Sequence, residues 1–466
     1  MRDAIYLLVA ANIVLAFASH LSLPLLTLFP MENMPALRFA DASWVYGGYG
    51  TVASIMSIAA SRALDRLPAL GVSFVGVAGA CAVRVVLPSA AQLANDALEG
   101  SPAYYALHGL ALFLLCFVMP VFDVLTMMPL SLALKRFVAT ERAGDEAAAA
   151  ARLRSLITFV YAISNGTDVV ANVLYDGARH AFSAPAANAA SSWVAGGVVL
   201  AAVPLLWQVR VRGGRADRAM PDHRQRTCDI TCASPRFWRF MVLVTLLVGV
   251  RMLFRHLDLT LAVYLLRASG QASHFALIQS INPFVVVCLG SLLSWHISKG
   301  ASRFLATLFR DDYTVLQVGT AISATAPLLL GALSLSSSPL LSAEATAALS
   351  VFVFSLGEIV WSPRFIAYAL DIAPEGSEAV YMALAALPSL AAKPLTSALS
   401  TLLVDSFCPT AGDAASCNGA WLWTSIGLIA ATTPLGLVAF ERWLREAPPS
   451  ERTHDSERGR KEEEGW

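Results

Sequence analysis

The sequence predicts an all-α polytopic membrane protein, with twelve transmembrane helices arranged as two six-helix pseudo-symmetric bundles. Three observations carry that expectation. The 466 residues are 56% hydrophobic and only 14% charged, against about 25% charged in soluble domains, and mean hydropathy is +0.61. Apolar runs long enough to cross a bilayer recur in two groups of six. Lys and Arg concentrate in alternate loops between those runs. The formal net charge of +0 gives no footing for nucleic-acid binding.

The first group of spans falls at roughly 4–29, 44–64, 70–92, 104–134, 153–176 and 191–210. Span 1 opens like a secretory signal, with Arg2 and then Ala16-Phe17-Ala18, but its apolar run continues through LSLPLLTLF. It is therefore read as a retained helix. Span 3 contains Arg84, a candidate partner for an acid on a neighbouring helix, and span 4 contains a lone Asp123. Span 5 lines up Tyr161, Asn165, Asp168, Asn172 and Tyr175 at i, i+4, i+7, i+11 and i+14, one stripe down one helical face. Such a stripe suits either interhelical hydrogen bonding or a cavity wall.

The second group falls at roughly 237–266, 273–298, 313–335, 345–371, 377–404 and 419–441. Span 7, within FWRFMVLVTLLVGVRMLFRHLDLTLAVYLLR, carries Arg251, Arg255 and Asp258 within an arc of roughly 60° at about 100° per residue. Charges inside a spanning helix cost several kcal/mol unless they face a partner or a water-filled cavity, which makes this face the leading site candidate. A structural Arg255–Asp258 pair three residues apart is the plain alternative. His256 points away from the arc; His20, His108 and His256 are read as isolated hydrogen-bonding histidines. Span 10 adds Glu358, and span 11 adds a line of Ser389, Lys393, Thr396 and Ser400. The embedded set is nearly balanced, with Arg84, Arg251, Arg255, Arg364 and Lys393 against Asp123, Asp168, Asp258 and Glu358. Balance matters because an unpaired buried charge is the costly case.

The loops set orientation. Arg66, then Lys135 to Arg154, then Arg210 to Arg236, then Lys299 to Arg310 lie on one side, whereas 93–103, 336–344 and 405–418 contain no Lys or Arg. Both termini are expected in the cytoplasm. The domains expected are a bundle over 1–210, a cytoplasmic central loop over 211–236, a second bundle over 237–441, and a charged, disordered tail over 442–466. Cys81, Cys116 and Cys288 sit in apolar runs as small hydrophobes. Cys228 and Cys232 make too small a set for a metal. Cys408 and Cys417 flank a short loop, where a disulfide is plausible if that loop is extracytoplasmic.

The loop after span 2 reads SRALDRLPAL. Its Asp65-Arg66 resembles the loop signature of the major facilitator superfamily, G-x-L-x-D-R-x-G-R-R/K, with Ser61 and Pro68 where the glycines would stand. Two further stretches, QSINPFVVVCLGSLLSW (279–295) and LGEIVWSPRFIAYALDIAPEGSEAVYMAL (356–384), resemble the proton-coupled oligopeptide transporter branch. That resemblance covers roughly the C-terminal half. It implies helices 1, 4, 7 and 10 around a central cavity, Asp65 and Arg66 in a gating loop, and Glu358 as a helix-10 acid that helps close the cavity and meets substrate. The branch's charged first-helix signature, Glu-x-x-Glu-Arg, is missing, since residues 4–29 contain no Asp, Glu, Lys or Arg. The resemblance therefore implies a divergent relative.

The function expected is secondary active transport by alternating access, as proton-coupled symport of a small anionic or zwitterionic solute, peptide-like in one version. No Gly-rich phosphate loop appears, so energy would come from a gradient. Arg251, Arg255 and Lys393 would attract the solute, with Asn165 and Asn172 lining the cavity. Asp123, Asp168, Asp258 and Glu358 would carry protons. A uniporter or exchanger on the same fold is the nearer rival, and a non-transporting sensor or scaffold the more distant one. An enzyme is not expected, since no catalytic set falls on adjacent helices, and neither is any cofactor or metal. The partners are a small-molecule solute, protons and the lipid bilayer, around a monomer. The plasma membrane is the default location.

Overall fold

A computed structural model describes residues 2–23, 26, 28–34, 39–64, 67–141, 146–218, 235–269, 274–298, 311–335, 341–371, 381, 384–385, 387–409 and 417–445. Among them no strand occurs and the chain is helical nearly throughout. The long helices are α1 (Arg2–Ser22), α2 (Phe39–Leu64), α3 (Ala69–Asp96), α4 (Pro102–Glu141), α5 (Glu146–Ala181) and α6 (Ala184–Arg218). They continue as α7 (Pro235–Leu246 and Val248–Ser269), α8 (Phe275–Ser298), α9 (Asp312–Leu333), α10 (Ala343–Asp371), α11 (Leu387–Phe407) and α12 (Gly419–Ala439). Each expected span has its helix. Eight are long and apolar enough to cross a membrane by composition alone.

The ends differ from the sequence expectation for local reasons. Instead of running to residue 29, α1 stops at Ser22. Pro24 offers no N–H and disfavours helix at the residue before it. The N–H of Leu23 turns back to the carbonyl of His20 instead, and a short helix, Leu28–Asn33, follows with Leu28 and Phe29 fully buried. Two other helices intrude into the expected central loop. The last turns of α6 run to Arg218 and α7 begins at Pro235, while 219–234 lies outside the described residues, as does 446–466 of the tail.

Two internal irregularities interrupt helices beside the site. In α4 the segment Leu114–Val118 widens to a π turn, just before Pro120, which has no N–H to return to the preceding turn. In α7 the hydroxyl of Thr433 is spliced into the backbone ladder. It donates to the carbonyl of Leu246 at 2.6 Å and accepts from the N–H of Val250 at 3.0 Å. Insertion of a side chain into the ladder is a recognised cause of a kink. It falls immediately before Arg251.

The packing repeats itself between the halves. Within the first, α1 packs on α6 and α5, α3 on α4 and α6, and α2 on α4; within the second, α7 packs on α12 and α11, α9 on α10 and α12, and α8 on α10. Adding six to each helix number turns one list into the other, a pseudo-twofold relation. Between the halves the closest pairs are α2 with α11 and α5 with α8, which the same operation interchanges. Apolar side chains cover the outer faces as well as the core, as a bilayer would demand. On α6, Trp193, Leu200 and Trp207 face outward while Ser192, Val199 and Leu206 are buried. Cys81 is buried, whereas Cys288 lies on the outer face of α8 instead of in a packed interior.

The α2–α11 seam needs glycine. A Cβ on Gly50 would stand 2.7 Å from Lys393 Cβ and overlap its Cδ, and one on Gly47 would stand 2.7 Å from Ser397. Gly50→Ala is therefore expected to cost about 1–3 kcal/mol through overpacking, read as a lower thermal midpoint in detergent. Gly48→Ala, whose methyl would meet Cys116 at 3.8 Å, should leave the midpoint unchanged. Equal losses would show that the seam is not tight.

Outside the spans, Asp311 caps α9. It accepts from the N–H groups of Tyr313 and Thr314 and pairs with Arg445 at 2.6 Å. Burial pushes its carboxyl up, but the hydrogen bonds from Thr314 and Arg445 outweigh that and hold it below the ordinary carboxylate range. A depressed folded value means the stabilisation is complete above the unfolded value of about 4 and fades as pH falls through the folded one. Asp311→Ala should cost about 1 kcal/mol at pH 7. The gap between variant and wild type should narrow at pH 3; a gap independent of pH would count against the charged cap.

Candidate functional site

Two carboxylates, on helices from different halves, organise the interior. On α7, Asp258 receives three donors: Tyr46 Oη of α2 at 2.8 Å, Arg255 Nη1 at 2.9 Å, and Gln279 Nε2 of α8 at 3.3 Å. Arg255 also reaches the Tyr46 hydroxyl at 3.5 Å. On α4, Asp123 pairs with Arg84 Nη1 of α3 at 2.8 Å and accepts from Tyr49 Oη of α2 at 2.8 Å. Tyr46 and Tyr49 stand three apart, one turn of α2, so a single helix edge touches both centres. The ammonium of Lys393 lies over the Tyr49 ring, 5.3 Å from its centroid. It is close enough to feel the charges of Arg255, Asp258 and Asp123.

A third carboxylate closes the group. Glu358 of α10, 7% exposed, accepts from Asn282 Nδ2 of α8 at 2.6 Å, and the same amide reaches Ser355 Oγ at 3.1 Å. Arg251 and Arg255 lie within electrostatic range of it. The Arg251 guanidinium stacks over Trp361 at 4.6 Å and Phe254 at 5.4 Å, which keeps a cation on an apolar wall. The Nε of Arg255 is buried with no hydrogen-bond partner among the described residues. A cavity of about 360 Å³ opens beside Asp123, lined also by Ser57, Val124, Met127, Met128 and Ser131. Ser131 lies two turns beyond Asp123, toward the end of α4 where Glu141 pairs with Arg2 at 3.2 Å. The cavity therefore faces the end that carries the N-terminus.

Of the residues singled out in the sequence, Arg251, Arg255, Asp258, Glu358, Asp123 and Lys393 come together here. Asp168 and Asn172 do not. Asp168 meets His20 Nδ1 of α1 at 3.2 Å and accepts from Asn172 at 3.0 Å, so that part of the α5 stripe is turned to α1. Asn165 lies half-buried on the same helix. Arg84 takes the partner role expected of it, and its acid is Asp123. His20 is not isolated, since the Asp168 contact occupies it, whereas His256 is buried against Thr260 and Ser400. Asp65 and Arg66 lie outside the described residues. Cys408 and Cys417 are joined in a disulfide.

Sequence reasoning missed Tyr46, Tyr49, Gln279 and Asn282. The signal available for the tyrosines was WVYGGYG, where glycines on the same helix mark a close approach. Asn282 lay inside the quoted Asn-Pro stretch.

No family model matches the sequence, and no curated protein matches it. Solved structures do. A POT family transporter in complex with a thioalcohol-conjugated peptide aligns with a TM-score of 0.70 at 13% identity, over 95% of this chain and 97% of that one. A POT family transporter in complex with 5-aminolevulinic acid aligns equally well, at 13% identity over the same shares. A peptide transporter POT mutant in complex with alafosfalin gives 0.67 at 16% identity, over 94% of each chain. Across nearly its whole length, this chain has the fold of the POT family transporters.

Proposed function

We propose that the protein is a secondary transporter for a small anionic or zwitterionic solute, peptide-like in character, driven by protons and working by alternating access. The observation that carries this reading is the Tyr46–Asp258–Arg255 cluster, which bridges the two halves near Glu358. Arg255, Arg251 and Lys393 supply positive charge for a solute carboxylate. The buried Nε of Arg255 is a donor that such a group would satisfy. Asp258 and Glu358 are acids able to take a proton as solute enters or leaves. When Asp258 is protonated, its hold on Arg255 and on Tyr46 weakens together, which couples charge to opening of the seam. The peptide and aminolevulinate complexes of the structural relatives support the solute class.

In this reading the six-helix units over 1–210 and 237–441 rock about the site, with both termini cytoplasmic. The disulfide between Cys408 and Cys417, at the end opposite Arg2, fits an oxidising exterior. The test is uptake into proteoliposomes under an imposed pH gradient, with dipeptides, amino acids and organic anions as solutes. Gradient-dependent uptake of at least one class is expected. Glu358→Gln and Arg255→Ala should each lower it by about tenfold or more, while the protein still inserts and elutes as a monomer. Wild-type rates in both variants would remove these residues from the site, and no uptake of any class would sink the transporter reading. The Arg255–Asp258 and Arg84–Asp123 pairs favour one rival, a uniporter or exchanger in which the acids only neutralise arginines. Uptake insensitive to external pH would select it.

A further inference from the structure

Far from the central site, at the end of the molecule opposite Arg2, three metal-ligating side chains meet across the two halves. Asp176 and His180 stand four apart near the end of α5, on one helical face, and His274 stands at the start of α8. The Nδ1 atoms of His180 and His274 lie 3.7 and 3.6 Å from Asp176 Oδ2, and the candidate ligand atoms are all within 4.8 Å of one another. The imidazole rings stack with centroids 4.9 Å apart.

The cluster is short of hydrogen bonds. Asp176 is 7% exposed, yet its Oδ1 has no partner among the described residues, nor does Nδ1 of His274. The nearest cation, Arg179, directs both Nη atoms to Glu32 at 2.7 and 2.9 Å. A buried carboxylate oxygen left unsatisfied is costly. His180 Nδ1 is engaged 2.9 Å from the carbonyl of Asp176, which fixes the tautomer and leaves Nε2 to a ligand, as in built metal sites.

We propose that Asp176, His180 and His274 form a site for a divalent transition metal, with Zn²⁺ its foremost occupant. One carboxylate and two imidazoles make a three-residue set that leaves the fourth tetrahedral position to water. Ligand atoms around zinc stand about 3.3 Å apart for bonds of about 2.0–2.1 Å. The candidate ligand atoms stand within 4.8 Å of one another, so side-chain rotation has to draw them in by up to about 1.5 Å to reach that. The ligands come from α5 and α8, the symmetry-related pair that joins the halves, so the ion clamps that end shut. Only this last consequence rests on the transport reading; binding itself does not.

The experiment is calorimetric titration of Zn²⁺ into the purified full-length protein in detergent at neutral pH. Cys228 and Cys232 are replaced by serine in every sample, so that the central-loop thiols do not bind. One Zn²⁺ per chain is expected, with affinity falling at least about tenfold in His274→Ala and in Asp176→Asn. Zn²⁺ should also raise the thermal midpoint of the parent protein and leave that of both variants where it was. Either of two results overturns the site: no Zn²⁺ bound by the parent, or equal affinity in parent and both variants. If a variant fails to fold, protection of His180 and His274 from diethylpyrocarbonate by Zn²⁺ in the parent decides, and absence of protection overturns the site. Loss of uptake with retained binding, or the reverse, separates this inference from the transport reading.

Discussion

The pairing of Arg255 with Asp258, tied across the halves by Tyr46, is the interaction on which the interior depends. The pair is half-buried, and removing either partner leaves the other charge unpaired in an apolar helix, which is the costly case. Both charges stand on α7, so the tie from α7 to α2 is the Tyr46 hydroxyl on Asp258. That tie requires α2 to approach closely. That approach is possible because Gly47 and Gly50 present no side chain to Ser397 and Lys393 of α11. Once α2 is seated, Tyr49 is placed one turn on, where it caps Asp123 and underlies the Lys393 ammonium. Each contact sets the position of the next, and all of them lie along the seam between the halves.

The pseudo-twofold relation explains why the seam is where chemistry collects. Helices buried within one half meet neighbours over most of their surface, and the polar groups they carry are satisfied locally, as Arg84 is by Ser22, Ala80 and Asp123. At the seam, α2 meets α11 and α5 meets α8. Polar side chains there have partners on the opposite half, as Tyr46 has Asp258 and Asp176 has His274. At the end opposite Arg2, Arg179 grips Glu32, Asn188 bonds both Glu32 and Asn33, and Tyr175 bonds Asn188. Those contacts all lie within the first half and stiffen it. Beside them, the His274 contact crosses to the second half.

How much of this was legible follows from what each residue costs. Charges in an apolar helix are expensive, so Arg251, Arg255, Asp258 and Glu358 stand out in a bare sequence, as do the twelve helices themselves. Tyr46, Tyr49 and Gln279 carry no such penalty, since a tyrosine or an amide in a membrane helix is ordinary. Only their partners make them part of a site. Periodicity on α5 marked a real polar face, but a stripe records that a face is polar and not what it meets; Asp168 meets His20 of α1. The Asp176–His274 contact joins residues almost a hundred positions apart, with no periodicity to relate them. Helix ends were displaced where proline chemistry decided them, as at Ser22.

The apolar first helix concentrates the mechanism. By the six-helix relation, α1 corresponds to α7 and α4 to α10. Of these four, α1 bears no Asp, Glu, Lys or Arg over residues 4–22, so α7 supplies Arg251 and Arg255 beside Lys393 of α11, and the carboxylates at the centre are Asp123, Asp258 and Glu358. They are not equivalent proton carriers. Asp123 holds a guanidinium at 2.8 Å, so protonating it strands the nearly fully buried Arg84. Asp258 holds Arg255 at 2.9 Å, the guanidinium that a solute carboxylate would take over in the proposed cycle. Glu358 is held by the amide of Asn282, and an amide has both a donor and an acceptor, able to serve the ionised or the protonated acid. In the proposed transport cycle these partners give the three acids different parts: Asp123 would stay as fixed structure, Asp258 would trade its arginine for solute, and Glu358 would be the acid whose neighbour serves either form.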